Sequence, residues 1–178
     1  CFQCQETAKG VGCTSKGVCG KDSGLASLMD LLLYVTKGIC AVKVSFPPDD
    51  MMKMDNTYVY SSLFKTITNA DFSYDDIKQT IAEGLEIKKK LILKAKEHLI
   101  PLPDIDAITW HGSVFDYEKK AKEVGVLVES NVDARSAKEL ITYGLKGVAA
   151  YMYHAIMREI KTGDFKPLAD WYKKKRKK

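Results

Sequence analysis

Leu25, Leu28, Leu32, Val35, Ile39 and Val42 recur at steps of three and four, drawing one apolar stripe along a helix that Leu31 and Leu33 widen. The run Phe46-Pro47-Pro48-Asp49-Asp50 stops that helix and begins a connector. A shorter helix is predicted over about 56–68, with Tyr60, Leu63, Phe64 and Ile67 inward. Ser73, followed by Asp75 and Asp76, reads as a cap with an acidic first turn and opens a long helix to about Leu99. Ile77, Ile81, Leu85 and Ile92 share one face of it. Lys88, Lys89, Lys90, Lys94 and Lys96 crowd its last half, where cations complement the helix dipole. Residues 100–112, with Pro101 and Pro103, read as a surface loop, Ser113 caps a helix to about Glu123, and 124–128 reads as a short extended link. A last long helix, over about 132–160, is expected to turn Ile141, Leu145, Val148, Met152 and Ala155 inward. Gly144, Gly147 and Ala150 would offer a narrow side to a second helix. Gly163 terminates it, and Pro167 starts a short helix through Trp171. No period-two alternation marks a strand. The expected architecture is all-α, an antiparallel helical bundle.

Composition narrows the setting. Of 178 residues, 46% are apolar and 29% charged, with 12 glycines and 5 prolines. That suits one ordinary globular domain or two small ones and excludes disorder as the main state. The most apolar stretch, 25–44, is broken by Asp30, Lys37 and Lys43, so no membrane span is expected. With no signal-peptide pattern either, the expected location is cytoplasmic, and the missing initiator Met points to a processed N-terminus. The net charge of +5 arises in the tail: residues 173–178 carry six positive charges, leaving −1 on the other 172. The body therefore offers neither nucleic acid nor a membrane a basic surface. The tail itself reads as a solvated terminus, or as a basic arm for an acidic partner.

The cysteines bring in chemistry. All five lie in the first 40 residues, and four of them, Cys1, Cys4, Cys13 and Cys19, form C-x2-C-x8-C-x5-C. A disulfide scaffold would spread its bridges through the domain, and nothing after Cys40 can take part, so a metal site is the stronger reading. Four thiolates at tetrahedral corners suit both an iron–sulfur cluster and structural zinc. Zinc modules usually pair two short-spaced hooks, and this chain has one; Gly10, Gly12, Gly17 and Gly20 let backbone bend around a bulkier inorganic core. A cubane cluster is favoured on spacing, with zinc open as the alternative. Cys40, within the apolar helix, reads as a small buried thiol, and His98, His111 and His154 are scattered, His154 as a packed, hydrogen-bonded side chain. No nucleophile–base set, phosphate loop or dinucleotide fingerprint appears.

Cys1-Phe2-Gln3-Cys4-Gln5-Glu6-Thr7-Ala8-Lys9-Gly10, then Gly12-Cys13-Thr14, then Gly17-Val18-Cys19-Gly20-Lys21, resemble the opening of the hybrid-cluster (prismane) proteins, the hydroxylamine reductases. The resemblance continues in the same order through Leu63 to Ala70, Glu123 to Leu127 and Arg135 to Tyr151, and covers about residues 1–157. It implies an all-helical N-terminal domain in which Cys1, Cys4, Cys13 and Cys19 hold a [4Fe–4S] cluster. A variant branch of the family with longer spacings holds a different cluster. Family members are several-fold longer, and the ligands of their hybrid cluster lie in later domains that have no counterpart here. After about Met157 this sequence also leaves the family pattern.

The resemblance thus implies part of a hydroxylamine-reductase-type oxidoreductase, isolated, truncated or split, with single electrons passing toward a catalytic cluster elsewhere. Three parts are expected: a cluster loop at 1–20, a helical bundle at 21–162 and a basic tail at 163–178. The expected partners are the remaining domains, or a separate catalytic chain, and a redox carrier as electron donor. Lys9, Lys16 and Lys21, around the loop, read as solvated or as a docking patch for an acidic carrier. The competing reading is a zinc-stapled helical interaction module. Alone, the chain is not expected to reduce hydroxylamine at an enzymatic rate.

Overall fold

The structure, a computed structural model, describes residues 13, 15–67 and 69–162. Asp22 opens the first helix, α1 (Ser23–Lys43), by accepting the Leu25 N–H at 2.8 Å, which satisfies one of the donors a helix start leaves unpaired. The predicted stripe of α1 is the centre of the molecule, with Leu28, Leu31, Leu32, Val35, Ile39 and Val42 all buried. Ser73 caps α4 (Tyr74–Glu97) by accepting the Asp76 N–H, and Ile77, Ile81 and Leu85 of α4 lie against α1. Tyr117 and Ala121 of α6 (Tyr117–Glu123) close the same core. Each such apolar side chain contributes about 1.5–3 kcal/mol on leaving water, so this interface dominates the stability.

Between α1 and α4 the chain forms α2 (Pro48–Lys53) and α3 (Thr57–Lys65). The Pro-Asp-Asp run predicted as connector is the start of α2, because Pro48 occupies the first helical position and Asp49 and Asp50 complement the helix start. On α3, Tyr60, Leu63 and Phe64 are half-buried, and Ser62 is the buried residue. Tyr58, at the start of α3, donates its hydroxyl to the Thr80 carbonyl, while Lys65, at its end, reaches Thr80 and Asp76. This helix therefore runs against α4. By contrast, α1 and α4 run the same way, joined by Tyr74 and Asp22 at one end and by Lys94 over the Phe46 ring at the other. The short α3 thus runs opposite to both α1 and α4, while these two long helices are parallel to each other.

Two segments differ from their predicted form. The 100–112 stretch contains a one-turn helix, α5 (Asp106–Thr109), held down by Lys88. That lysine is fully buried and donates to the carbonyls of Ala107 at 2.8 Å and Trp110 at 2.7 Å, so it belongs to the interior and not to the cationic surface of α4. The link at 124–128 is not extended: Ser113 and Asp116 form a capping box on the turn Val114–Asp116, and Val126–Val128 is a second 3-10 turn. Among the described residues there are seven α-helices and no strand, only an isolated bridge between Lys16 and Asp22.

The last helix, α7 (Val132–Thr162), packs mainly on α3, with Phe64 stacked on Tyr153 at 4.5 Å. The residues it buries are Thr142, Lys146 and Ala149, whereas Ile141, Leu145 and Val148 stay more than half exposed, with Leu145 and Val148 lining a cavity against α1 and α3. The buried face is rotated one residue, about 100°, from the apolar stripe. Gly144 and Gly147, expected to meet another backbone closely, have open space where a Cβ would stand. Close approaches occur at Gly38, where a Cβ would meet the Ala107 carbonyl oxygen at 2.1 Å, and at Gly84 beneath the Tyr58 hydroxyl.

By length and composition α1 could cross a membrane, contrary to the expectation from its charges. Two thirds of its apolar window is buried against the other helices, which is the position of a core helix.

Candidate metal centre

The chain enters α1 through a tight turn built on two of the predicted ligands. Gly17 N–H donates to the Lys21 carbonyl at 2.7 Å, Gly20 N–H donates to the Gly17 carbonyl at 2.9 Å, and Ser23 N–H donates to the Ser15 carbonyl at 2.8 Å. Gly20 has φ of +92°, a left-handed conformation that glycine adopts without strain. The Asp22 cap and the Tyr74 hydroxyl that donates to it fasten the turn to the starts of α1 and α4.

Cys13 is buried and Cys19 half-buried, and both sulfurs lie over Gly17. A Cβ there would stand 3.1 Å from Cys19 Sγ and 3.7 Å from Cys13 Sγ. The turn is therefore a cradle that a larger residue would fill, with two thiols on one side of it. That donor set fits a thiophilic centre, either an iron–sulfur cluster or zinc. Cys1 and Cys4, the other two predicted ligands, lie outside the described residues, as does the basic tail at 163–178. Among the described residues no three His, Cys, Asp or Glu side chains converge on a metal position, so Cys13 and Cys19 need further donors.

Cys40 lies roughly 25 Å along α1 from its start, taking 1.5 Å per residue. It is half-buried in the wall between α1, α3 and α7, and burial pushes its thiol up against the pull of Lys43. This is the packed thiol the sequence predicts. His98 caps the end of α4, His111 is exposed, and His154 is exposed with its ring edge against Phe64, so the expected packing of His154 is one-sided.

The charges beneath the turn were not legible as such. Lys21, read as a surface cation, is 1% exposed and cannot serve a docking patch. Its Nζ lies 2.9 Å from Met29 Sδ and 5.4 Å from the centre of the Phe72 ring. Burial lowers its ammonium below the usual lysine range, while Cys19 and Asp71 pull it back up. The signal for this was its place directly before the Asp22 cap, where a side chain commonly folds back onto the first turns of the helix. Further along α1, burial raises the Asp30 carboxyl to about 6 against the pull of Lys146, and lowers the Lys146 ammonium to about 8 against the pull of Asp30.

The described residues thus form an all-α domain entered through a glycine-bent turn with two thiols over it. The chain belongs to the Prismane/CO dehydrogenase family, whose pattern matches residues 1–165. It is 45% identical to a hydroxylamine reductase of Bacteroides fragilis, over 87% of this chain and 28% of that protein. It is 46% identical to a hydroxylamine reductase of Desulfitobacterium hafniense, over 87% of this chain and 29% of the relative. It is also 42% identical to hydroxylamine reductase 2 of Clostridium acetobutylicum, over 88% and 32%. The chain thus spans less than a third of the length of these relatives and is homologous to their N-terminal part.

Proposed function

We propose that this chain is the electron-transfer domain of a hydroxylamine-reductase-type protein, holding a [4Fe–4S] cluster on Cys1, Cys4, Cys13 and Cys19. The observation that carries the reading is the pair of sulfurs over Gly17, within a spacing suited to four thiolates. Such a cluster, when bound, accepts and releases single electrons. The chain's own contribution is positional. The Gly17 turn keeps two thiols adjacent, the Asp22–Tyr74 contact fixes the turn on two helices, and the buried α1–α4 interface gives it a rigid base. Rigid ligands hold reorganisation down during outer-sphere transfer.

The receiving partner is the remaining part of such a protein, in cis or as a separate chain. Leu140, Ile141, Leu145, Val148 and Tyr151 leave an apolar face exposed on α7, beside a cavity of about 300 Å³ between α1, α3 and α7. A face of this kind supports contact with further protein, and more than two thirds of the relatives' length has no counterpart here. Reduction of hydroxylamine is proposed for the whole protein, at a centre beyond this domain.

Cys13→Ala and Cys19→Ala, made in anaerobically purified protein, test the ligand set. Each is expected to lose the visible absorbance of the cluster while the helical circular dichroism survives, because α1 and α4 bury one another without metal. Full cluster retention in Cys13→Ala would overturn the assignment.

A further inference from the structure

The cavity of about 300 Å³ between α1, α3 and α7 is walled by Leu33 and Cys40, by Val59 and Leu63, and by Leu145 and Val148 respectively. Its wall asks for nothing polar. The Thr36 hydroxyl donates to the Leu32 carbonyl at 2.8 Å and the Thr142 hydroxyl to the Lys138 carbonyl at 2.9 Å, each within its own helix. Burial favours the neutral form of the Cys40 thiol. Only Lys37 among the lining residues carries a charge, and it is exposed. A large apolar side chain in this space would take Leu145 and Val148, 52% and 57% exposed, out of water.

The sequence after α7 offers such a side chain. Residues 163–178 lie outside the described residues, and the family pattern ends at 165, so the positions in question stand beyond the part matched to relatives. Gly163 suits a chain reversal after the helix, Pro167 suits a first helical position, and Leu168, Trp171 and Tyr172 then follow at the spacing of one helix face. Val148 lies 14 residues before Thr162, about 21 Å back along α7. A chain that reverses at Gly163, runs extended to Pro167 and is helical from there brings residue 171 back by roughly 22 Å. Phe165 falls short of the cavity, and Trp171 arrives level with it. Asp170, next in the chain to Trp171, brings a carboxylate to a cavity whose charged lining residue is the cationic Lys37.

We propose that the chain's own C-terminal segment folds back along α7 and seats the Trp171 indole in the cavity between α1, α3 and α7. An indole fills apolar space with its ring and keeps its N–H toward water at the open side. So seated, it covers Cys40, Leu145 and Val148. Leu140, Ile141 and Tyr151 do not line the cavity and stay available to the further protein proposed above. The inference uses no residue of the cysteine turn and stands apart from the electron-transfer role.

Trp110 and Trp171 are the two tryptophans, so Trp110→Phe leaves Trp171 as the sole indole of the full chain. Its emission maximum and its quenching by acrylamide are read in that background, alone and combined with Val148→Asp in the cavity wall or Ile141→Asp outside it. Trp171 is expected to emit to the blue of N-acetyltryptophanamide and to be quenched several-fold less. Val148→Asp should shift the emission to the red and restore quenching, with helical circular dichroism retained, while Ile141→Asp should do neither. Emission and quenching equal to those of the free amide would overturn the proposal, as would equal effects of the two aspartates. Burial that is lost on dilution would assign the cavity to the segment of a second copy and also overturn it. If Trp110→Phe does not fold, the difference between the spectra of the parent and Trp171→Phe gives the same reading.

Discussion

On α1, the stripe residues Leu28, Leu32, Val35 and Ile39 are each 3% exposed or less. At the same kind of spacing on α7, Ile141, Leu145 and Val148 are 65%, 52% and 57% exposed. The first stripe is covered because α4, α5 and α6 all return to it, whereas α7 is met mainly by α3. There α7 offers Thr142, Lys146 and Ala149, and not its larger apolar residues. A helical period specifies that an apolar face exists. It does not specify that the same stretch of chain covers that face, and in a domain that spans under a third of its relatives the two helices separate those questions.

The comparison can be broken most sharply at the glycines. Gly38→Ala on α1 would drive a Cβ to 2.1 Å from the Ala107 carbonyl oxygen, a main-chain atom that cannot move without lifting α5. A loss of at least ~3 kcal/mol is expected in urea unfolding, as for an overpacked core. Gly147→Ala on α7 meets nothing and should stabilise by roughly 0.5–1 kcal/mol through helix propensity alone. Equal losses at the two positions would mean that the α7 face is already covered in this chain.

Apolar truncation tests the same contrast one step more gently. Leu32→Ala, at a fully buried position, should lose ~2–5 kcal/mol in the same unfolding measurement, while Ile141→Ser should change stability by no more than ~0.5 kcal/mol. A loss at Ile141 approaching that at Leu32 would contradict the exposed α7 face.

The smallest effect lies where the two helices exchange charge. Asp30 on α1 feels Lys146 and Glu139 from α7 and Lys37 from α1, and its carboxyl is raised to about 6, first by burial. In this window the folded state holds the Asp30 proton more tightly than the unfolded chain, whose carboxyl titrates near ~3.9. The contribution of Asp30 to stability therefore falls as pH rises from about 4 to about 6, and stays lowered above that range. Asp30→Asn should gain on the parent chain across that interval in thermal melts. A parallel pair of curves would remove Asp30 from the account.

The distribution of what the sequence discloses follows the same physics. Ser73 as a cap, the α1 stripe and the length of α4 were legible because each is a local pattern whose partner is the helix itself. The rotation of α7 was not, since Ile141 and Lys146 look the same in sequence whether or not a neighbour arrives. Lys21 and Lys88 were misread for a related reason. Lysine reads as surface on average, and only the carbonyls of residues 107 and 110 for Lys88, and the Met29 thioether and Phe72 ring for Lys21, receive these two inside. For the site, spacing singled out the four cysteines, and the fold brings Cys13 and Cys19 together over Gly17. The choice of metal depends on chemistry that thiol spacing alone shares between iron–sulfur clusters and zinc.

Iron, zinc and acid-labile sulfide, measured together on the anaerobically purified chain, therefore bear most directly on the central claim. The cysteine loop as a one-electron centre predicts brown protein with about four iron and about four sulfide per chain and an EPR signal on reduction. Colourless protein with one zinc per chain and no sulfide would contradict it and leave a zinc-stapled helical domain in its place.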